Sequence, residues 1–227
     1  MNRNPCIISV YMQNIDQKTT TLQKAVVDKF NKSNITFHQV ITGGTHGATM
    51  TLLMPMLEQM GHDAVLFLDV DCVPVDDSAI DFMFENVYNG KLIGDAQRTN
   101  HIDNNQHVFC GAHNVGFTMD LYSRIGKPSF EPTPRGDVAE ELTYLARENN
   151  IDVHLLMPLS YDAPPLRMAW EPQNLPPYWS LADGMPNFGI GTTYGEGDKP
   201  LFWHCWQIFQ PGQQERFWNK CEELLNG

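Results

Sequence analysis

Apolar and polar residues fall in blocks along the chain, and the length and spacing of each block set the element it predicts. Cys6–Met12 (CIISVYM) is apolar and β-branched, the composition of a buried strand. After the polar turn Gln13–Lys18, Leu22, Val26 and Phe30 recur at helical spacing. Ile35–Ile41 (ITFHQVI) reads as a second strand, closed by Gly43–Gly44. Ala48–Met60 reads as a helix with Leu52, Leu53, Met56, Leu57 and Met60 on its apolar face and Pro55 in its middle. Ala64–Val75 (AVLFLDVDCVPV) opens with an unbroken apolar run, as a strand buried on both faces of a parallel sheet requires. Strand and helix alternating in this way predict βαβ units, hence an α/β/α sandwich around a mainly parallel sheet.

The second half is less regular. Asp77–Val87 reads as a helix with Ile80, Met83, Phe84 and Val87 at core spacing, and Lys91–Gly94 as a short strand. Cys110–Gly126 reads as a strand leading into a helix, Gly136–Asn150 as a helix, and Ile151–Met157 as a strand. From Pro158 to Pro200 the chain turns to proline, tryptophan, tyrosine and glycine, predicting an irregular C-terminal acceptor or lid region. Within it Gly184–Lys199 reads as a mobile lid, and Tyr161, Trp170, Tyr178, Trp179 and Tyr194 offer flat apolar faces. Leu201–Phe209 (LFWHCWQIF) returns to strand content, and Gln213–Leu225 closes the chain as a helix.

Composition narrows the function. A chain of 227 residues that is 42% hydrophobic is expected to form a single domain. A net charge of −12 argues against a nucleic-acid partner, which needs clustered Lys and Arg. Five cysteines without a C-x-x-C pair fit reduced thiols in a cytoplasmic protein. No apolar run reaches the length of a membrane span or a signal peptide. A phosphate-bearing ligand of so acidic a chain needs a metal or backbone amides to offset the repulsion.

Asp69-Val70-Asp71 stands where such a metal is expected. In open α/β sheets ligands bind at the carboxyl ends of strands. If the chain stays extended, the two carboxylates point to one side and together suit a hard divalent cation. The competing reading is an Asx turn leading into the helix that starts near Asp76–Asp77. Asp95 and Arg98 follow the Lys91–Gly94 strand and so stand at another strand end, where they can reach a phosphate-bearing ligand; the alternative is a surface ion pair. No G-x-G-x-x-G and no Walker motif is present.

FLDVDCVPV resembles the D-x-D segment of nucleotide-sugar glycosyltransferases of the GT-A fold, and Asn114-Val-Gly116-Phe117 resembles the N-x-G strand of glycogenin-like transferases. The resemblance implies Mn²⁺ or Mg²⁺ held by Asp69 and Asp71, with the late histidine His204 as a third ligand. It implies that Tyr11, Met12 and Gln13 cup the nucleotide, and that Asn114 and Gly116 lie beneath the donor sugar. It places an acceptor or general-base role on Glu141 first and on Asp137 and Glu140 second. Residues 1–100 become the nucleotide-sugar half and 101–227 the acceptor half. The implied reaction moves a sugar, most simply from a UDP-sugar, to the hydroxyl of a glycan or other acceptor. A sugar nucleotidyltransferase and a non-catalytic sugar-binding protein of the same fold are the alternatives.

Overall fold

The computed structural model describes residues 3–102, 104–166 and 179–227. In chain order the elements are β1 (Pro5–Met12), α1 (Gln17–Phe30), β2 (Thr36–Thr42), α2 (His46–Gln59), β3 (Ala64–Leu68), β4 (Cys72–Pro74), α3 (Ala79–Tyr88) and β5 (Leu92–Arg98). Then come β6 (Val108–Thr118), α4 (Met119–Arg124), α5 (Glu140–Glu148), β7 (Val153–Ser160), β8 (Trp179–Ser180), β9 (Asn187–Phe188), β10 (Thr192–Glu196), β11 (Lys199–His204) and α6 (Gln213–Asn226).

The period of two along β3 explains the layers. Val65 and Phe67 face a core built with Met50, Leu53, Met54 and Leu57 of α2, Leu121 of α4 and Leu142 of α5. Ala64, Leu66 and Leu68 face the other way, onto Ile80, Met83, Phe84 and Val87 of α3 and Val27 of α1. Because both faces are covered, the strand shows no polar alternation. A third cluster joins Val26 and Phe30 of α1 to Phe217 and Cys221 of α6, with Val73 and Trp203 between them.

Nine strands form one sheet in the order β2-β1-β3-β6-β5-β7-β10-β11-β4. β1 pairs in parallel with β2 and β3, and β5 with β7, while β6 runs against both β3 and β5. The last strands are antiparallel: β10 on β7, β11 on β10 and β4 on β11. This is the expected single α/β domain with one large sheet: six of its nine strands run the same way, and β6, β10 and β4 run against them.

Several boundaries differ from the sequence expectation. The chain does not stay extended through Asp71: the Cys72 N–H donates to the Asp69 carbonyl at 2.9 Å and a turn separates β3 from β4. β5 continues past Gly94 because β6 pairs with it across a register shift at Gly94/Ala96, so Asp95 sits inside a strand rather than at its end. The helix expected from Gly136 begins at Glu140, since Ala139 is left-handed (φ 62°) and breaks the run. The stretch 184–199 is not a free lid. It supplies β9 and β10, and Ile190, Thr192 and Tyr194 are buried in it.

Gly47, in the first turn of α2, fixes how that helix meets the rest of the domain. A Cβ there would stand 2.6 Å from the Phe130 carbonyl oxygen, whereas one on Gly43 would meet nothing within 4 Å. Alanine in a helix normally gains up to about 1 kcal/mol over glycine. Here we expect Gly47→Ala to lose stability, because overpacking against backbone costs roughly 1–3 kcal/mol. Urea unfolding of Gly47→Ala beside Gly43→Ala checks this, and equal midpoints would contradict the packing role.

Candidate functional site

A cleft of about 550 Å³ opens at the carboxyl ends of β1, β2 and β3. Tyr11 and Met12 come from the end of β1, Thr42 to His46 from the β2–α2 corner, Asp69 to Asp71 from the link after β3, and Ile208 and Phe209 from the segment after β11. These positions follow from topology: three parallel strands end at one level, so their following loops share one edge.

Asp69, Asp71 and His204 converge in this region, each offering a ligand atom within 4.8 Å of the others. His204 reaches the pair because β11 lies antiparallel to β4 with His204 opposite Cys72. Its Nε2 stands 3.2 Å from Asp71 Oδ1. The ring stacks on His113 at 4.2 Å and meets Trp206, tilted, also at 4.2 Å. Asp69 is clamped through its backbone: its N–H donates to the His113 carbonyl at 2.8 Å, and its carbonyl accepts from Gln23 Nε2 at 2.7 Å. Its side chain meets His46 Nε2 at 3.1 Å. Burial pushes the Asp69 carboxyl above the ordinary carboxylate range; His46 pulls it back, and Asp71 pushes it up again. Two carboxylates and one imidazole are a donor set that fits Mn²⁺, and Mg²⁺ with more waters.

Behind this triad lies a buried polar array. Asp95 is fully buried and accepts from Asn114 Nδ2 at 2.9 Å. His113 Nε2 and Asp95 Oδ2 face each other at 3.3 Å without aligning for a hydrogen bond. Asn114 Oδ1, His204 Nδ1, Trp206 Nε1 and the Tyr194 hydroxyl are also buried without a hydrogen-bond partner. Burial lowers His113 to about 4, with His204 adding to the effect and Asp95 opposing it. Burial raises Asp95, against the pull of the nearby His113 and the bond from Asn114. Buried polar atoms normally find partners, and the number left without one in a single place marks this array as unusual.

The remaining expected residues divide. Tyr11, Met12 and Val70 line the cleft, while Gln13 is exposed in the turn beyond it. Arg98 ends β5 and is half-buried. Gly116 is not beneath the cleft; a Cβ there would meet Val87 of α3 at 3.0 Å, so its role is helix packing. Glu140 is completely buried, accepting from Thr99, Asn104, His107 and the Asp137 N–H at 2.8–2.9 Å. Glu141 is bound by Arg135 and Thr133, and this pairing holds its carboxyl below the usual range. The Asp137 carboxylate is engaged locally, accepting from the Val138 N–H at 2.7 Å. None of the three lines the cleft. Of the aromatic faces, Tyr161 is exposed, Trp179 is half-buried and Tyr194 is fully buried; Trp170 and Tyr178 lie outside the described residues.

Sequence reasoning passed over His46 and Phe209. His46 follows Gly43–Gly44 at a strand end, a usable signal under the same rule that singled out Asp69. His113 and Trp206 meet the His204 ring through the strand pairing, His113 stacked on it and Trp206 tilted against it.

No protein-family model matches the sequence, and no curated protein matches it either. Solved structures do match. A Drosophila β-1,4-galactosyltransferase 7 mutant, solved with manganese, UDP-Gal and xylobiose, aligns over 94% of this chain and 79% of its own at 11% identity, with a TM-score of 0.51. A putative nucleotide-diphospho-sugar transferase from Desulfovibrio desulfuricans aligns over 68% of this chain and 80% of its own at 11% identity, with a TM-score of 0.45. A cytidylyltransferase from Leptospira borgpetersenii aligns over 68% and 76% at 10% identity, also with a TM-score of 0.45. The galactosyltransferase match spans nearly the whole chain, and the fold is that of the nucleotide-sugar transferases, GT-A-like.

Proposed function

We propose that this chain is a metal-dependent glycosyltransferase that moves a sugar from a nucleoside-diphosphate sugar, UDP-linked in the simplest case, to an acceptor hydroxyl. The observation that carries the reading is the meeting of Asp69, Asp71 and His204 beside the strand-end cleft. Asp71 and His204, with Asp69, are the residues to hold Mn²⁺ or Mg²⁺. When bound, such an ion neutralises charge growing on the leaving diphosphate.

The chain's own groups divide the remaining work. Tyr11, Met12 and Phe209 offer apolar surface for a nucleoside at the outer part of the cleft. Asp95, Asn114 and His113 present their unpartnered atoms to sugar hydroxyls once Trp206 makes room. Residues 1–100 then form the donor half, and 101–227 the acceptor half, which also supplies His204. For the acceptor proton the candidate is Glu141, an ionised carboxylate with 18% of its side chain exposed. Glu140 has neither exposure nor a free lone pair to spare, and Asp137 serves the start of α5.

Two measurements test this. Asp71→Asn should reduce Mn²⁺-dependent UDP binding by about 100-fold or more, in line with losing a direct metal ligand, and leave the melting temperature unchanged. Unaltered binding in that folded variant would sink the metal reading. Glu141→Gln should lower transfer while donor affinity holds, and should cost at most about 1 kcal/mol of stability. Glu140→Ala, by contrast, should cost roughly 3–5 kcal/mol, because buried donors lose a charged partner. Chemical denaturation of the two variants side by side separates the roles; equal losses would remove the distinction.

A further inference from the structure

His46 touches the site from an element that contributes nothing else to the metal set. It is the first residue of α2, and its Nε2 lies 3.1 Å from Asp69 Oδ1. Its neighbours are pinned on either side. Thr45 caps the helix, accepting from the Ala48 N–H at 3.2 Å, and its hydroxyl bonds to Glu131. Gly47 lies so close to the Phe130 carbonyl that no side chain fits there. A histidine between two fixed residues has little backbone freedom, so its ring is delivered to one place.

That place matters for the carboxylate it meets. Asp69 is held through its main chain by His113 and Gln23, which leaves the side-chain rotation as its remaining freedom. A carboxylate has two oxygens. His46 Nε2 lies 3.1 Å from Oδ1 without lining up for a hydrogen bond; a small turn of the ring makes that bond, fixes the rotation and leaves Oδ2 for a cation. Partners of this kind, one bond removed from the ion, commonly change metal affinity by about 10–100-fold.

We infer that His46 is a positioning residue for the metal centre: its ring, 3.1 Å from Asp69 Oδ1, turns to donate to that oxygen when the cation is held, locks the carboxylate, and so ties the Thr42–Thr45 wall of the cleft to the cation. The inference rests on the metal-dependent reading above. It also makes the β2–α2 corner responsive to both halves of the ligand. A nucleotide resting on that corner settles His46, and His46 settles Asp69.

The test is Mn²⁺ binding to the full chain, followed by electron paramagnetic resonance of the free ion, with and without UDP and without any turnover. His46→Ala should weaken Mn²⁺ about 10-fold or more and keep the wild-type melting temperature in the absence of metal. His46→Gln, whose amide N–H reaches a similar distance, should recover most of the affinity, whereas the shorter His46→Asn should not. Should His46→Ala fail to fold, the Gln and Asn pair decides alone. Equal Mn²⁺ affinity in Gln and Asn variants would overturn the inference. So would wild-type affinity in His46→Ala while Asp71→Asn loses binding, and that outcome leaves the metal reading standing. Retained affinity in both His46→Ala and Asp71→Asn would overturn the metal reading and this inference with it.

Discussion

Three residues, Asp69 to Asp71, carry the chain from the middle of the sheet to its far edge. β3 lies third in the strand order and β4 ninth, yet nothing longer than this link joins them. Three residues span at most about 10 Å of extended chain. The sheet must therefore curl until its last strands stand over the carboxyl end of β3. The curl sets His204 opposite Cys72, and the Cys205 N–H then donates to the Asp71 carbonyl at 2.9 Å. The carboxylates sit in the link itself, so the connection that imposes the curl is also the one that carries the chemistry.

The same closure explains why the site is electrostatically tense. Burial disfavours charge on Asp69 and Asp95 and on His113 alike, raising the carboxyls and lowering the imidazole. A chain with a net charge of −12 has thus taken Asp95 and Asp71 out of water, and most of Asp69, with no lysine or arginine paired to them among the described residues. A divalent cation relieves that tension directly, because it supplies the positive charge that the side chains of the triad do not. Glu140 shows the other solution: four donors surround it, and it serves the fold.

Much of the fold was legible because periodicity reports burial. The run Val65–Leu68 announced a strand covered on both faces, and Ile80, Met83, Phe84 and Val87 announced the helix that covers one of them. Asp69 and Asp71 were legible from the strand-end rule. Gly116 was misread: its glycine serves α3, and a short motif does not say which neighbour needs the space. β4 was invisible because three residues ending in proline carry no pattern, and its pairing with β11 spans well over a hundred positions. His113 and His204 meet only through that pairing, so no local reading could join them.

The short link also orders events in time. β4 emerges early, but among the described residues it pairs with one strand, β11, near the other end of the chain. Until β11 is made, Cys72–Pro74 lacks that strand and the two aspartates lack His204. Contacts of such sequence separation pay the largest loop-closure entropy and form late. The domain can therefore hold its parallel core before it holds its site, and the last strand to arrive brings the imidazole with it.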